Sequence, residues 1–185
     1  MGMKWPWYVK LWNRIAPTFV SDKLDHPGTD DVCTLEITAY RQGATFACGY
    51  VAGLMILHTF HKGADKVDFL KWFPNMATEG TDLPVLVKAL KNSGVAVRRS
   101  SRLSLASIVR YIDDGCPIVT RIVKRSRLLR KSFGHWVIIY GYGCNPDRVF
   151  IAGNGIPWIS NNEIKWEDFQ GIWNPPREGL ICWGE

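Results

Sequence analysis

The chain lacks the patterns that mark several common classes of protein. Its 185 residues contain no CxxC pair, no GxSxG motif and no P-loop, so a zinc site, a serine-hydrolase elbow and a phosphate-binding loop are not indicated. No segment approaches the roughly 20 apolar residues of a membrane-spanning helix. We also find no internal repeat and no low-complexity segment. We therefore expect a globular protein that needs neither a metal ion nor another cofactor.

Cysteine is scarce and shows no paired spacing. The five cysteines are Cys33, Cys48, Cys116, Cys144 and Cys182. Disulfide frameworks belong mostly to small secreted domains, and an odd number of widely spaced cysteines favours a reduced, cytosolic protein. The segment Met1–Lys10 is interrupted by Lys4 and Pro6 and does not resemble a signal peptide. We therefore expect a cytoplasmic protein, unless a dedicated system exports it.

Positive charge exceeds negative charge moderately. The net charge is +6 and the pI is near 9.1, which favours acidic partners at the stage of encounter. The strongest basic cluster spans Arg121–Lys131 and includes Arg127. It forms either a basic lip that selects an acidic substrate or a solvated hairpin tip. The cluster contains no aromatic residue on which bases could stack, so nucleic acid is not the expected partner.

The distribution of apolar residues predicts an N-terminal arm followed by one domain. Residues 1–31 form the arm and a polar loop over 20–31, and residues 32–185 form a single domain. The arm is rich in tryptophan and basic residues, which suits either packing on the domain or peripheral contact with a membrane surface. The sequence leaves the oligomeric state open.

Within the domain, helical patterns precede strand patterns. Val32–Thr38 alternates like a strand, Tyr40–Thr45 is typical of a loop, and Phe46–His61 is the most apolar segment and predicts a central buried helix. Further helices are predicted over residues 65–72, 81–92, 104–114 and 165–171. Further strands are predicted over 95–99, 117–123, 134–142, 148–152 and 179–183. This order is typical of an α+β fold with an antiparallel sheet in its C-terminal half.

Cys48 is the strongest candidate for a nucleophile. A helix beginning near Phe46 or Ala47 places its thiol at the helix N-terminus, where partial positive charge favours the thiolate and lowers the pKa. Most free cysteines are instead small buried apolar residues. Gln42, six residues earlier, carries an amide that with the Cys48 backbone N–H forms a potential oxyanion hole. Gly43 permits the turn that aims this amide.

His135 is the candidate general base, because it stands at the mouth of an apolar strand, where a side chain is held rigidly. The other possibility is a satisfied core histidine. The residue that orients its ring is expected near the following strand, which ends just before Asn154. Asp147 competes for this role from the other end of that strand. His58, on the Cys48 helix, does not share a face with Cys48 and is assigned a structural or surface role.

These residues resemble the motifs of the papain-like cysteine peptidases, most closely the bacterial branch of double-glycine leader peptidases that process bacteriocins. The resemblance rests on Gln42 to Gly49, on Gly134-His135-Trp136 and on the segment that ends at Asn154. It implies a nucleophile helix packed on an antiparallel sheet. It also implies a Cys48, His135 and Asn154 triad with Gln42 in the oxyanion hole.

The expected activity is therefore hydrolysis of a peptide or amide bond in a peptide or protein substrate. Tentative substrate contacts are Gly43, Gly134, Trp136 and Arg127. An acyltransferase on the same fold remains an alternative, because an amine or thiol acceptor replaces water without changing the motif. A non-catalytic module that binds an acidic partner through residues 121–131 is a second alternative.

Overall fold

The computed structural model describes residues 18–21, 32–126, 131–143, 147–153, 163–173 and 175–184. The fold is α+β, as the sequence predicts. The strands are β1 (Thr18–Ser21), β2 (Val32–Thr34), β3 (Ala39–Arg41), β4 (Val95–Ser100), β5 (Ile118–Ser126), β6 (Lys131–Gly143), β7 (Arg148–Ala152), β8 (Glu163–Lys165) and β9 (Gly179–Gly184). The helices are α1 (Cys48–Phe60), α2 (Lys66–Leu70), α3 (Met76–Glu79), α4 (Leu83–Asn92), α5 (Leu105–Asp113) and α6 (Trp166–Ile172).

A seven-stranded antiparallel sheet forms the body of the domain. Six of its strands follow the order β4-β9-β5-β6-β7-β8, and β2 pairs with the end of β6. Strand β6 is the longest, and it pairs with β5 over most of its length and with β7 near its end. Strands β1 and β3 form a separate two-stranded antiparallel sheet. The segment around His135 therefore lies in the middle of the large sheet, held by β5.

Two hydrophobic cores cover the two faces of this sheet. Ile138 and Tyr140 of β6 pack in the core that contains helices α1 and α4, whereas Val137 and Ile139 pack in the core that contains α5 and α6. Successive side chains of a strand point to opposite faces, so a strand between two layers of helices is apolar throughout. This explains the unbroken apolar run that the sequence shows after His135.

Helix α1 is buried from Gly49 to His58. A helix without a polar face is typical of a protein interior. Its glycines permit close packing: a Cβ atom added at Gly49 would lie 2.4 Å from Cβ of Thr81, and one added at Gly53 would lie 2.9 Å from Cδ1 of Leu86. Helix α1 therefore approaches the start of α4 more closely than any side chain at Gly49 would allow.

Within the described ranges, no helix has both the length and the apolar character needed to cross a bilayer.

The sequence predictions are correct for the main helices and strands and wrong for several short elements. Residues 39–41, predicted partly as loop, form β3, because pairing with β1 determines their conformation. The strand predicted over Val32–Thr38 ends at Thr34, and α3 and β8 were not anticipated. Most of the predicted arm and loop over residues 1–31 lies outside the described residues.

Candidate active site

Cys48 is the first residue of helix α1. A short 3-10 turn, Thr45–Ala47, leads into the helix, and the Ala47 N–H donates to the Ala44 carbonyl over 3.1 Å. The predicted helix start is therefore correct to within two residues. The first backbone N–H groups of a helix have no partner within the helix, so they are available to an oxygen that carries negative charge. The thiol and these donors face the same end of α1.

The Cys48 thiol meets strand β6 at Trp136. The backbone N–H of Trp136 interacts with the sulfur, and so does that of Gly49. His135 immediately precedes Trp136 and is buried, with only 7% of its surface exposed. Across the β5–β6 ladder, His135 lies opposite Ile122 and Trp136 lies opposite Arg121. The fold thus brings together the segments of Cys48 and His135, which are far apart in sequence.

The electrostatic environment of Cys48 corrects one expectation from the sequence. Burial raises the pKa of the Cys48 thiol above its usual value of 9.0, and this effect exceeds the lowering by the Trp136 and Gly49 backbone hydrogen bonds and by the positive charge of Arg121. The expected net lowering at the helix N-terminus is therefore wrong, because desolvation penalises the thiolate more strongly. The resting thiol is protonated at neutral pH, so nucleophilic attack requires a base.

Gln42 lies directly after strand β3, at the start of the turn that leads to α1. Its side-chain oxygen is buried, and within the part of the chain that the structure describes it accepts no hydrogen bond. A buried amide group without a partner is uncommon in folded proteins. The neighbouring Gly43 is exposed. The Gln42 amide is therefore not committed to a structural hydrogen bond among these residues.

The register of β6 and β7 separates the two candidates for orienting His135. Ala152 pairs with Ile138, close to His135, whereas Val149 pairs with Tyr142 near the opposite end of the hairpin. Asp147 precedes β7 and is largely exposed. Its Oδ1 lies 3.7 Å from Nε of the neighbouring Arg148. Strands extend by about 3.3 Å per residue, so the end of the hairpin that carries Asp147 is roughly 20 Å from His135. Asn154 lies outside the described residues, as does Arg127.

Thr81 joins the two halves of the site, although the sequence suggested for it only a place at the start of a helix. Its backbone oxygen accepts a hydrogen bond of 2.9 Å from Nε1 of Trp136, and its side chain packs on Gly49. The residue is 6% exposed, and its hydroxyl has no hydrogen-bond partner among the described residues. No local motif distinguishes Thr81, because its role depends on contacts with α1 and β6.

Gly134, the remaining predicted substrate contact, lies beside the Arg121 side chain. A Cβ atom added at Gly134 would come within 1.9 Å of Nε of Arg121, so the absence of a side chain creates the space that the guanidinium occupies. Among the described residues, no group of three or more His, Cys, Asp or Glu side chains is arranged to hold a metal ion.

Comparison with known proteins identifies the family. The profile of the Peptidase_C39 like family matches residues 34–179. No curated protein matches the sequence significantly. Several solved structures share the fold, and two of them show it at low sequence identity. A double glycine motif protease from an AMS/PCAT transporter, in complex with the leader peptide, is 14% identical with a TM-score of 0.60, over 82% of this chain and 94% of that one.

The second structure is the peptidase domain of Streptococcus ComA, a bifunctional ABC transporter involved in a quorum-sensing pathway. It is 16% identical with a TM-score of 0.59, over 78% of this chain and 96% of that one. The profile match spans both Cys48 and His135, and the likeness of the folds extends over most of the domain. The chain therefore belongs to the Peptidase_C39 like family and is a cysteine peptidase.

Proposed function

We propose that this protein hydrolyses a peptide bond with Cys48 as the nucleophile and His135 as the general base. The observation that carries the proposal is the contact between the Cys48 thiol, at the start of a buried helix, and the β6 residue that follows His135. Nucleophilic catalysis requires a base held on a rigid element close to the nucleophile, and the meeting of these two segments supports the assignment of His135 to this role. The family match supports the same chemistry.

In the proposed reaction, Nε2 or Nδ1 of His135 takes the thiol proton as the Cys48 sulfur attacks the scissile carbonyl carbon. The Cys48 backbone N–H and the Gln42 amide donate to the oxygen that becomes negatively charged. The imidazolium then gives its proton to the leaving amine, which departs and leaves a thioester. Water activated by His135 hydrolyses the thioester and restores the thiol.

The raised pKa of Cys48 makes a base necessary. A protonated thiol is a weaker nucleophile than a thiolate, so we assign the removal of its proton to His135. A ring held in the correct tautomer supports that transfer, and we assign the orienting role to the side-chain oxygen of Asn154. Asp147 is unsuited to this role, because it lies at the far end of the β6–β7 hairpin.

The substrate class is a peptide, and the finer proposal is a leader-like peptide bound in an extended form beside Cys48. One structural relative was solved in complex with the leader peptide. A shared fold at this level of identity supports a peptide-binding site in the corresponding place.

The test is to trap the thioester. A peptide ester or thioester substrate is mixed with the protein, the reaction is quenched in acid, and mass spectrometry maps the acyl group. We expect the acyl group on Cys48, and we expect its rate of formation to fall strongly in His135→Ala. Cys116→Ala is the matched control, because Cys116 is also half-buried with a thiol pKa raised chiefly by burial.

Turnover that persists in Cys48→Ala would contradict the proposal. An acyl group that forms on Cys48 but is released only when an amine or thiol is added would identify an acyltransferase instead. If Cys48 never acquires an acyl group and the protein only binds acidic ligands, the chain is a binding module.

A further inference from the structure

Arg121 stands at the edge of the candidate active site without a role in the proposed reaction. It lies on β5 directly opposite Trp136, and its guanidinium occupies the space above Gly134. Its positive charge acts on the Cys48 thiol. The residue is exposed, so the guanidinium is accessible from solvent. A cation within electrostatic range of the nucleophile also acts on any substrate that the nucleophile reaches.

A small pocket lies against this guanidinium. Its volume is about 90 Å³, and its lining residues are Leu83, Arg121, Trp136, Pro175, Pro176 and Glu178. Trp136 connects the pocket to the reaction centre, because its backbone N–H interacts with the Cys48 sulfur. Leu83, Trp136 and the two prolines supply most of the apolar lining. The pocket therefore suits the end of one side chain with an apolar stem and a polar tip.

The two charged residues that line this pocket, Glu178 and Arg121, differ in their ion pairing. Glu178 is already paired, since its carboxylate accepts hydrogen bonds from the guanidinium of Arg99. In the parts of the chain that the structure describes, no carboxylate lies within salt-bridge distance of Arg121. Among these residues, the Glu178 carboxylate is therefore paired with a cation, whereas the Arg121 guanidinium has no carboxylate partner. The charge of Arg121 also acts on the nearby Cys48 thiol.

We propose that this pocket is a specificity site in which Arg121 binds the carboxylate of an aspartate or glutamate that lies next to the scissile bond. This inference rests on the proposed peptidase function and names the substrate class that the same site prefers. Guanidinium binds carboxylate through two parallel N–H···O bonds, a geometry that lysine does not reproduce. The apolar walls hold the stem of the substrate side chain, while Arg121 holds its tip.

The test uses short peptides that differ only at the residues flanking the scissile bond. One set carries Asp or Glu there, a second carries Asn or Gln, and a third carries Lys. For the unaltered protein we expect kcat/KM about tenfold higher on the acidic set than on its amide counterparts, the effect of one charge-assisted hydrogen-bonding pair at a partly exposed site. In Arg121→Gln we expect this ratio to fall to about one.

Two further variants refine the result. Arg121→Glu is expected to reverse the preference in favour of the lysine set. Lys91→Gln removes the same single charge from an exposed position at the end of α4 and should leave the ratio unchanged. A preference that survives Arg121→Gln would overturn the inference. Equal losses on all three peptide sets would also overturn it, because they would assign Arg121 to the thiol rather than to the substrate.

The proposed function and this inference fail in different ways. If Cys48 never acquires an acyl group with any peptide, the peptidase proposal fails and the pocket has no substrate to select. If the amide and acidic peptides are both cleaved through Cys48 at similar rates, the peptidase proposal stands and only the specificity site is wrong. Measurements at low and high salt add a check, because a carboxylate bound by Arg121 should lose its advantage as ionic strength rises.

Discussion

The two ends of helix α1 each carry a titratable side chain, but their surroundings differ. At the C-terminal end, His58 is 3% exposed, and both of its ring nitrogens are hydrogen bonded, to Tyr40 Oη over 2.6 Å and to the Ala64 carbonyl over 2.9 Å. At the N-terminal end, Cys48 is half-buried, and the Thr81 side chain packs on the next residue, Gly49, with its hydroxyl lacking a hydrogen-bond partner among the described residues.

The difference separates a structural histidine from the thiol that we propose as the nucleophile. Burial and the nearby Lys66 lower the pKa of His58, so the ring is neutral, and each nitrogen has a fixed task, accepting from Tyr40 and donating to Ala64. Among the described residues, the Thr81 hydroxyl at the start of the helix retains unused hydrogen-bonding capacity, which a substrate can take up. One helix thus holds a satisfied end that stabilises the fold and an unsatisfied end that is suited to chemistry.

The largest expected effect compares the two buried histidines. His135→Gln should lower kcat/KM by roughly a thousandfold, the usual contribution of a positioned general base. His58→Gln should leave kcat/KM of the folded protein close to its original value and instead lower the melting temperature. Peptide hydrolysis and thermal unfolding measured on both variants check the contrast. Equal losses of activity in the two variants would remove the distinction between the two ends.

The next effect concerns the close packing at the N-terminal end. Gly49→Ala puts a methyl group 2.4 Å from the Thr81 Cβ, so either the helix or Thr81 must move. We expect a loss of about 2 kcal/mol in the free energy of unfolding, as for other overpacked sites. Activity should also fall, because Thr81 holds Trp136.

The matched control for this variant is Gly171→Ala in helix α6. A Cβ atom at Gly171 meets nothing within 4 Å, so the change should be neutral or stabilise the protein by up to about 1 kcal/mol. Urea titration of both variants measures the difference. Similar stabilities for the two would show that the contact between Gly49 and Thr81 is looser than the structure indicates.

A smaller effect is expected at the satisfied end. Tyr40→Phe removes the hydroxyl that donates to Nδ1 of His58 but keeps the ring, over which Nζ of Lys66 lies at 4.4 Å. The buried nitrogen then lacks its donor, and we expect a loss of about 1 kcal/mol in unfolding free energy. The rate of Cys48 acylation should not change. A change in that rate would show that the two ends of α1 are coupled.

The smallest effect is a dependence of stability on pH. The pKa of His58 is lowered by folding from 6.5, so below that value the unfolded chain binds a proton that the native state does not. Stability is therefore retained above about pH 6.5 and declines as the pH falls through that value. Thermal melts of the unaltered protein and of His58→Gln test this, with a flatter profile expected in the variant. Parallel profiles would assign the decline to other groups.

Much of the domain could be predicted from local patterns in the sequence. The apolar run that begins at Cys48 forms a buried helix, and the apolar run after His135 forms a central strand, because each carries the periodicity of its environment. Strand β3 was missed because three residues contain too little periodicity, and only pairing with β1 makes them a strand. The predicted role of Asn154 stays a prediction, since that residue lies outside the described part of the chain.

The prediction that the pKa of Cys48 is lowered was wrong for the same kind of reason, because it too depends on contacts between residues that are distant in sequence. The effect of a helix N-terminus can be inferred from sequence position, whereas desolvation depends on what packs around the thiol. The Trp136 backbone meets the Cys48 sulfur only after α1 docks on β6, so the surroundings of the thiol have no local signal in the sequence. Thr81 itself was assigned to the start of a helix, yet its side chain packs against Gly49.

By itself, the sequence determined the order of the elements, the position of a cysteine at the start of a buried helix and the position of a histidine at the mouth of a strand. These follow from hydrophobic periodicity and turn residues, which act over a few positions. Only the tertiary structure decided that Cys48 meets β6 beside His135, that its thiol is protonated at rest, and that Arg121 faces a pocket whose Glu178 carboxylate is already paired with a cation. Burial and charge pairing depend on residues that are distant in the chain, so they exist only once the sheet has formed.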